Sequence, residues 1–383
     1  MEQMGFSESI RNSRRIFARD ALFAYNANLD CIRSISQKEA DILSRHLPKM
    51  KECMQGGNGG EMRISSHMFH KIDRMLPEGT LRIGGQAGNM AVSASRLLTR
   101  SYLHTPNYSR KMLSLFKSRR VLVACGESFL PARECGDDSE PLTHMIFEFK
   151  KGKNISSSDR FIVSFESENP SLPINPIFSR NILPVIQDIP KAIIGGFHLV
   201  PPRLLRKRMS GVLAQIRKWK RINPCLRMHL ELGDFLSHES EILTVKHILP
   251  EVHSVGLNES ELPTFLNSLG SGRIESVLDK TGTVVLHTGN YSLALSRDYS
   301  QKALASSLAF ASCVSGFKAL KGHSPTFSQL AKAQFKRKRI IPPRIRGAST
   351  DIPTAFSPSV NIKPKYTIGL GDCFSMAFFL SLK

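Results

Sequence analysis

No two cysteines stand at C-x-x-C spacing: Cys31, Cys53, Cys125, Cys135, Cys225, Cys313 and Cys373 are scattered and odd in number. That excludes a zinc ribbon or a thioredoxin-like redox motif and reads as free thiols in a reducing compartment. No stretch approaches the ~18 uncharged apolar residues that cross a bilayer. The N-terminal MEQMGFSESIRNSRRIF lacks the apolar run of a secretory signal. A cytoplasmic location without a membrane span is therefore expected, and the glycosylation-type triplets at Asn107, Asn154, Asn258 and Asn290 read as chance matches. No internal repeat occurs, and no G-x-x-x-x-G-K-[ST], which excludes a Walker-type phosphate loop. Acidic residues are the scarce charge: 32 Asp+Glu face 53 Lys+Arg, a net +21. Such an excess suits nucleic acid, an anionic surface or phosphorylated metabolites, and bears on encounter rather than on fold.

What is present is ordinary. Hydrophobic residues make up 41% and charged residues 22% of 383, excluding collagen, wholesale disorder and a small disulfide scaffold. At about 100–200 residues per domain, the length predicts two domains or one large domain with an insertion.

Short apolar runs rich in β-branched residues predict strands at 21–25, 120–124, 145–149, 161–165, 192–195, 228–232, 254–257 and 283–287. Leu205, Met209, Val212, Leu213, Ile216 and Trp219 recur at helical spacing, and a second helix with small residues is expected at 302–320. The alternation from 191 to 288 reads as βαβ units, hence a mostly parallel sheet covered by helices. Two regions break the rhythm: 30–79, with the loose MQGGNGGEMR, and 134–173, which reads as strand, turn, strand. Both suit a smaller lid. A basic segment, FKRKRIIPPRIRG (335–347), precedes a C-terminal strand and loop.

Three motifs carry chemistry. TIGLGDCFS (367–375), followed by an apolar run, reads as a strand-like approach, a glycine turn and a helix start. Such a start presents free N–H groups to an anion. Asp372 at that place suits acceptance of a proton from an attacking hydroxyl; a helix-capping aspartate reads equally well. After the strand-like HSVGL, Asn258, Glu259 and Glu261 suit hydrated Mg²⁺, or serve as a cap with acids in the first turn. His229 and Glu231 alternate onto one strand face and either polarise the same metal–water cluster or are structural. Two loops suit a polyhydroxylated ligand: Asn26, Asn28 and Asp30 after the first strand, and Gly84, Gly85, Gln86 and Gly88 before a helix. Either also reads as turn chemistry. DKTGT (279–283) matches the phosphorylated loop of P-type pumps, but without their membrane spans it reads as a turn.

AYNANLD (24–30), GGQAGNMA (84–91), HMIFEF (144–149), DRFIVSFE (159–166), IIGGFHLV (193–200), HLE (229–231), GLNESE (256–261) and GLGDCFS (369–375) occur in that order. In this the chain resembles, from about 21 to 383, the ADP-dependent sugar kinases of the ribokinase-like superfamily, which include ADP-dependent glucokinases and phosphofructokinases. The resemblance implies an α/β fold: a ribokinase-like, Rossmann-type three-layer core with a smaller, mainly β lid domain. It places the large nucleotide-binding and catalytic domain at 1–25, 75–140 and 178–383, and the lid at 26–74 and 141–177. It implies Asp372 as catalytic base, with Gly369 and Gly371 forming the anion hole. It implies Glu231, Asn258, Glu261 and His229 around Mg²⁺, and His287 with Gly371 near the nucleotide. Asn26, Asn28, Asp30, Gly85 and Gln86 would face the sugar, Arg160 would reach a phosphate on lid closure, and Glu61 would favour glucose. The implied reaction moves the β-phosphoryl of Mg-ADP to a hexose, glucose first and fructose 6-phosphate second. The partners are then ADP and a hexose or hexose phosphate, in a monomer or small homo-oligomer. The basic segment and the net charge depart from the family. A non-catalytic relative binding nucleic acid through 203–221 and 335–346 is the less favoured alternative, since few aromatics interleave the charges.

Overall fold

The computed structural model describes residues 5–157, 159–165, 168–340 and 352–383. Residues 341–347 of the basic segment lie outside the described residues. Fifteen strands are formed among the described residues: β1 (Asp20–Ala24), β2 (Asn28–Ser34), β3 (Gly60–Arg63), β4 (Thr80–Gly84), β5 (Arg100–Leu103), β6 (Val121–Cys125), β7 (Ser128–Pro131), β8 (Thr143–Phe149), β9 (Asp159–Ser164), β10 (Lys191–Ile194), β11 (Arg227–Glu231), β12 (Ser254–Asn258), β13 (Thr283–His287), β14 (Tyr291–Ser296) and β15 (Thr354–Pro358).

Ten of them build the larger sheet in the order β15-β14-β13-β12-β11-β10-β1-β5-β6-β7. The strands from β13 across to β6 are parallel, and β7, β14 and β15 close the edges antiparallel. The chain enters at β1, builds outward to β7, then returns beside β1 at β10 and builds the other way. That reversal opens a crevice beyond the carboxyl ends of β1 and β10, where open α/β sheets bind ligands.

Alternation along the central strands divides the interior in two. Ala21, Phe23, Leu103, Val123 and Ile193 pack beneath the helices Phe6–Ile16, Gln86–Arg96, Gln301–Lys321 and Leu370–Ser381. Leu22, Ala24, Ile194, Leu230 and Val255 pack with Leu205, Met209, Val212, Ile216 and Trp219 of the helix Pro202–Ile222. Leu213, read from the sequence as part of that apolar stripe, is only half-buried. The helix Gln301–Lys321 is long and apolar enough to cross a membrane by composition, but 78% of its apolar window is buried inside the protein.

The smaller sheet runs β3-β9-β8-β2-β4. Met145, Phe147, Phe149, Phe161 and Val163 turn to one side, against the helices Gln37–His46, Pro48–Gly56 and Ser66–Met75. By register the opposite face carries Glu61, Arg160, Glu148, His144, Asp30, Asn28 and Arg82. Two expectations need correction. Thr80–Gly84, grouped by sequence with the large domain through the 75–140 boundary, pairs antiparallel with β2 in the smaller sheet. MQGGNGGEMR is not all loop, because Gly60–Arg63 forms β3 beside β9. The glycine that suggested looseness permits contact instead: a Cβ on Gly60 would lie 2.6 Å from Cys53 Sγ and 3.0 Å from the Phe161 ring.

Candidate active site

The C-terminal helix Leu370–Ser381 is buried from Cys373 onward, so only its first turn reaches open space. Its cap residue Gly369 has φ 64°, in the left-handed region that favours glycine. The run into it is not a strand. Lys365 and Tyr366 instead donate their backbone N–H groups to Ala319 O, following the helix Gln301–Lys321. Asp372 lies in the first turn and accepts from Asn89 Nδ2 at 3.0 Å. Burial raises its pKa to about 6, the Glu231 charge adds to this, and Lys318, Asn89 and His287 oppose it. A carboxylate with that pKa is able to take up a proton near neutrality.

Beneath this helix Glu231 leans over Gly256 of the next strand, where a Cβ would come within 2.4 Å of its Oε2. The same oxygen is 3.2 Å from His229 Nε2, while His229 Nδ1 is 2.7 Å from Ser254 Oγ. His229 is fully buried and its ring stacks on Phe379 at 5.1 Å. It therefore orients Glu231 and does not itself face the cleft. Burial raises the Glu231 pKa, but hydrogen bonds and charge from His229 and His287 outweigh it and leave the pKa below the ordinary value. His287 Nε2 stands 3.8 Å from Glu231 Oε1, and a Cβ on Gly371 would meet His287 Cε1 at 2.9 Å. His287 thus joins the glycine turn to Glu231.

The capping reading of the Asn258 motif needs correction: the helix that follows, Leu262–Ser268, has Glu261 as its cap residue with no side-chain capping bond and no acidic residue in its first turn, so Asn258 and Glu261 close the turn ahead of it. Asn258 Oδ1 accepts from the Ser260 and Glu261 backbone N–H groups at 2.8 and 3.0 Å, and Glu261 Oε2 accepts from Asn258 N at 3.0 Å, a reciprocal closure of the turn. The pair also lines the cleft. Burial raises the Glu261 pKa to about 7, with the Glu231 and Asp234 charges adding to the rise. Among the described residues no three His, Cys, Asp or Glu side chains converge as a direct chelate.

Asn28 and Asp30 are buried, joined at 2.6 Å from Nδ2 to Oδ1. Burial raises the Asp30 pKa to about 6, with help from Asp372 and Glu61 and against the charge of His144. That coupling brings the smaller sheet and the C-terminal helix to one place. Gln86, expected to read a ligand, is engaged in structure: its Oε1 accepts from Gly196 N at 2.7 Å and its Nε2 donates to Leu232 O. It ties the β10 and β11 ends together. Asn26 accepts from Ala87 N at 3.4 Å and packs on Gly196, and a Cβ on Gly85 would lie 2.8 Å from Asn26 O.

A cleft of about 910 Å³ runs from Glu61 and Arg160 on the smaller sheet, past Gly371, His287 and Glu261, to Gly316, Val360 and Ile362. Sequence reasoning missed Lys318, Asn89 and His144. Lys318 had a visible signal, a cation between apolar turns of a long helix; Asn89 and His144 stood inside quoted motifs without being singled out.

Fold and cleft define a two-sheet α/β protein in which the start of the C-terminal helix and the polar face of the smaller sheet line one cleft. The conserved-region model of the ADP-specific phosphofructokinases and glucokinases matches residues 19–285, and the chain belongs to that family. An ADP-dependent glucose/glucosamine kinase of Pyrococcus furiosus is 24% identical, aligned over 94% of each chain. An ADP-specific phosphofructokinase of Pyrococcus horikoshii is 25% identical over 94% of this chain and 96% of its own. A probable ADP-dependent glucokinase of Caenorhabditis elegans is 31% identical over 68% of this chain and 51% of its own. In fold, the chain superposes with TM-score 0.82 at 20% identity on an ADP-dependent kinase complexed with fructose 6-phosphate and ADPβS, covering 98% and 96% of the two chains.

Proposed function

We propose that the protein transfers the β-phosphoryl group of ADP to a hexose hydroxyl, glucose in preference to fructose 6-phosphate, releasing AMP. The observation that carries this reading is Asp372, poised near neutrality in the first turn of a helix whose leading residues Leu370 and Gly371 line the cleft, and electrostatically coupled to Asp30 on the smaller sheet. The attacking hydroxyl gives its proton to Asp372 as its oxygen bonds to phosphorus, and the bond to the leaving AMP oxygen breaks. The backbone N–H groups of the first turn, from Leu370 to Asp372, face the charge that develops on the transferred group. Asp30 and Asn28 orient the sugar, and the lid's polar face excludes water on closure.

Magnesium fits the carboxylates present. Glu261 is half-buried, with its pKa raised to about 7, a charge that a divalent cation would offset, and Glu231 and Asn258 stand close by. Glu261, Glu231 and Asn258 would hold Mg²⁺ in the cleft, and the ion would supply charge neutralisation there. The preference for glucose rests on Glu61, whose carboxylate accepts from hydroxyls and repels a sugar phosphate. Arg160, the cation opposing this, stands in register with Glu148. All seven cysteines are free thiols, in keeping with a cytoplasmic enzyme.

The test is a parallel assay of glucose and fructose 6-phosphate with ADP and with ATP, quantifying AMP. Turnover with ADP and glucose is expected to lead. Absence of turnover with ADP on either sugar overturns the reading. Tight, steeply salt-dependent nucleic-acid binding in its place would restore the alternative.

A further inference from the structure

The helix Gln301–Lys321 is an apolar core element, yet Lys318 in its last turns is only 9% exposed. Burying an ammonium without a partner is costly, and among the described residues no carboxylate lies within ion-pair distance of it. Its hydrogen bond goes to a single backbone acceptor, from Nζ to Gly369 O at 2.9 Å. The same carbonyl accepts Cys373 N at 3.2 Å, the first turn of the C-terminal helix. The packing is tight, since a Cβ on Gly369 would lie 2.8 Å from Lys318 Nζ.

A peptide unit is planar, with its C=O and N–H on opposite sides. Gripping Gly369 O from the protein side therefore turns the Leu370 N–H the other way, and Leu370 lines the cleft. The cation also polarises that peptide, so the N–H it aims is the stronger donor. Its charge acts on Asp372 as well, lowering that carboxylate's proton affinity. One side chain thus acts on both the anion cradle and the proton acceptor.

We propose that Lys318 is the positioning cation of the phosphoryl site: it holds the Gly369–Leu370 peptide so that its N–H faces the phosphate to be transferred. This rests on the kinase reading for what is transferred, but the grip on an anion is measurable without turnover. Lys318→Met keeps the bulk and removes the charge. Calorimetry is expected to show ADP binding weakened about 10- to 100-fold, with adenosine, which lacks phosphate, bound within twofold of the unaltered protein. Turnover falls similarly while the acceptor KM holds. Unchanged ADP affinity overturns the proposal, and so does an equal loss for ADP and adenosine.

Lys318→Ala provides a second arm that does not depend on the methionine variant folding. Lys318 borders a cavity of about 370 Å³, which gives a small amine access to the vacated space. Propylammonium is expected to restore ADP affinity where neutral propanol does not. No response to the amine, or an equal response to both, refutes the role of the charge. If the unaltered protein transfers no phosphoryl group but still prefers ADP to adenosine through Lys318, the kinase reading falls and this one stands.

Discussion

Replacing Asp372 by asparagine separates two chemistries that predict effects of opposite sign. If the residue only caps its helix, loss of the charge weakens a favourable helix-dipole interaction, costs about 0.3–1 kcal/mol of stability, and leaves turnover intact. If it is the proton acceptor, asparagine keeps an oxygen for Asn89 but cannot take a proton. Loss of a general base costs roughly 10²–10⁴ in rate, or about 3–5 kcal/mol of transition-state stabilisation.

Stability should move the other way. The Asp372 pKa rises from 3.8 in its ordinary state to about 6 when folded, and two units correspond to roughly 3 kcal/mol. The sign follows from linkage: the folded state binds the proton more tightly than the unfolded state. The carboxyl group is therefore most favourable below the ordinary carboxylate range, and that advantage is lost as pH rises through about 6. At pH 7.5 without nucleotide, Asp372→Asn should melt about 3–4 °C higher, taking roughly 2.1 cal/mol/K of unfolding entropy per residue. The gap should close towards pH 4. The checks are AMP quantified by chromatography and thermal unfolding over that pH range. Turnover within tenfold of the unaltered protein, or a lower melting temperature at pH 7.5, would refute the base assignment. In the unaltered protein, kcat/KM should fall on the acid side of about pH 6, where Asp372 and Asp30 both take up protons.

Glu61→Ala should raise the KM for glucose about tenfold or more and narrow the preference over fructose 6-phosphate; an unchanged ratio of kcat/KM for the two sugars would remove Glu61 from selectivity. Chelation with EDTA should abolish turnover and added Mg²⁺ restore it. Glu261→Gln should raise the half-saturating Mg²⁺ concentration about 10- to 100-fold, and an unshifted magnesium curve would leave Glu261 with only its role of closing the turn on Asn258. Gly371→Ala places a Cβ 2.9 Å from His287 Cε1, displacing the ring and its ion pair with Glu231. Turnover should drop by about 10²-fold, whereas a value within twofold would show that the turn tolerates the shift.

The eight apolar runs read from the sequence each overlap an observed strand, three lying wholly inside one and five overhanging by a single residue, and most are parallel strands of the larger sheet, covered on both faces and therefore rich in apolar residues. Of the strands left unread, NLDCIRS carries polar residues among its apolar ones, and GEMR and TLRIG are the two edges of the smaller sheet. The first of these carries Asn28 and Asp30, and the second carries Glu61. Placing ligand-facing groups on a strand interrupts the apolar run by which a strand is recognised, so in the lid the chemistry hides the fold. Near the C-terminus the reverse holds. GLGD announces a helix start because a left-handed cap requires glycine and a buried helix requires the apolar run after it. What neither pattern reveals is the partner of that turn, for Lys318 is 51 residues away in sequence and reaches Gly369 only once both helices have packed. Gln86 shows the same limit from the other side. Among glycines it reads as a ligand-facing amide, and only the return of β10 and β11 beside it shows that both of its polar atoms hold the crevice in shape.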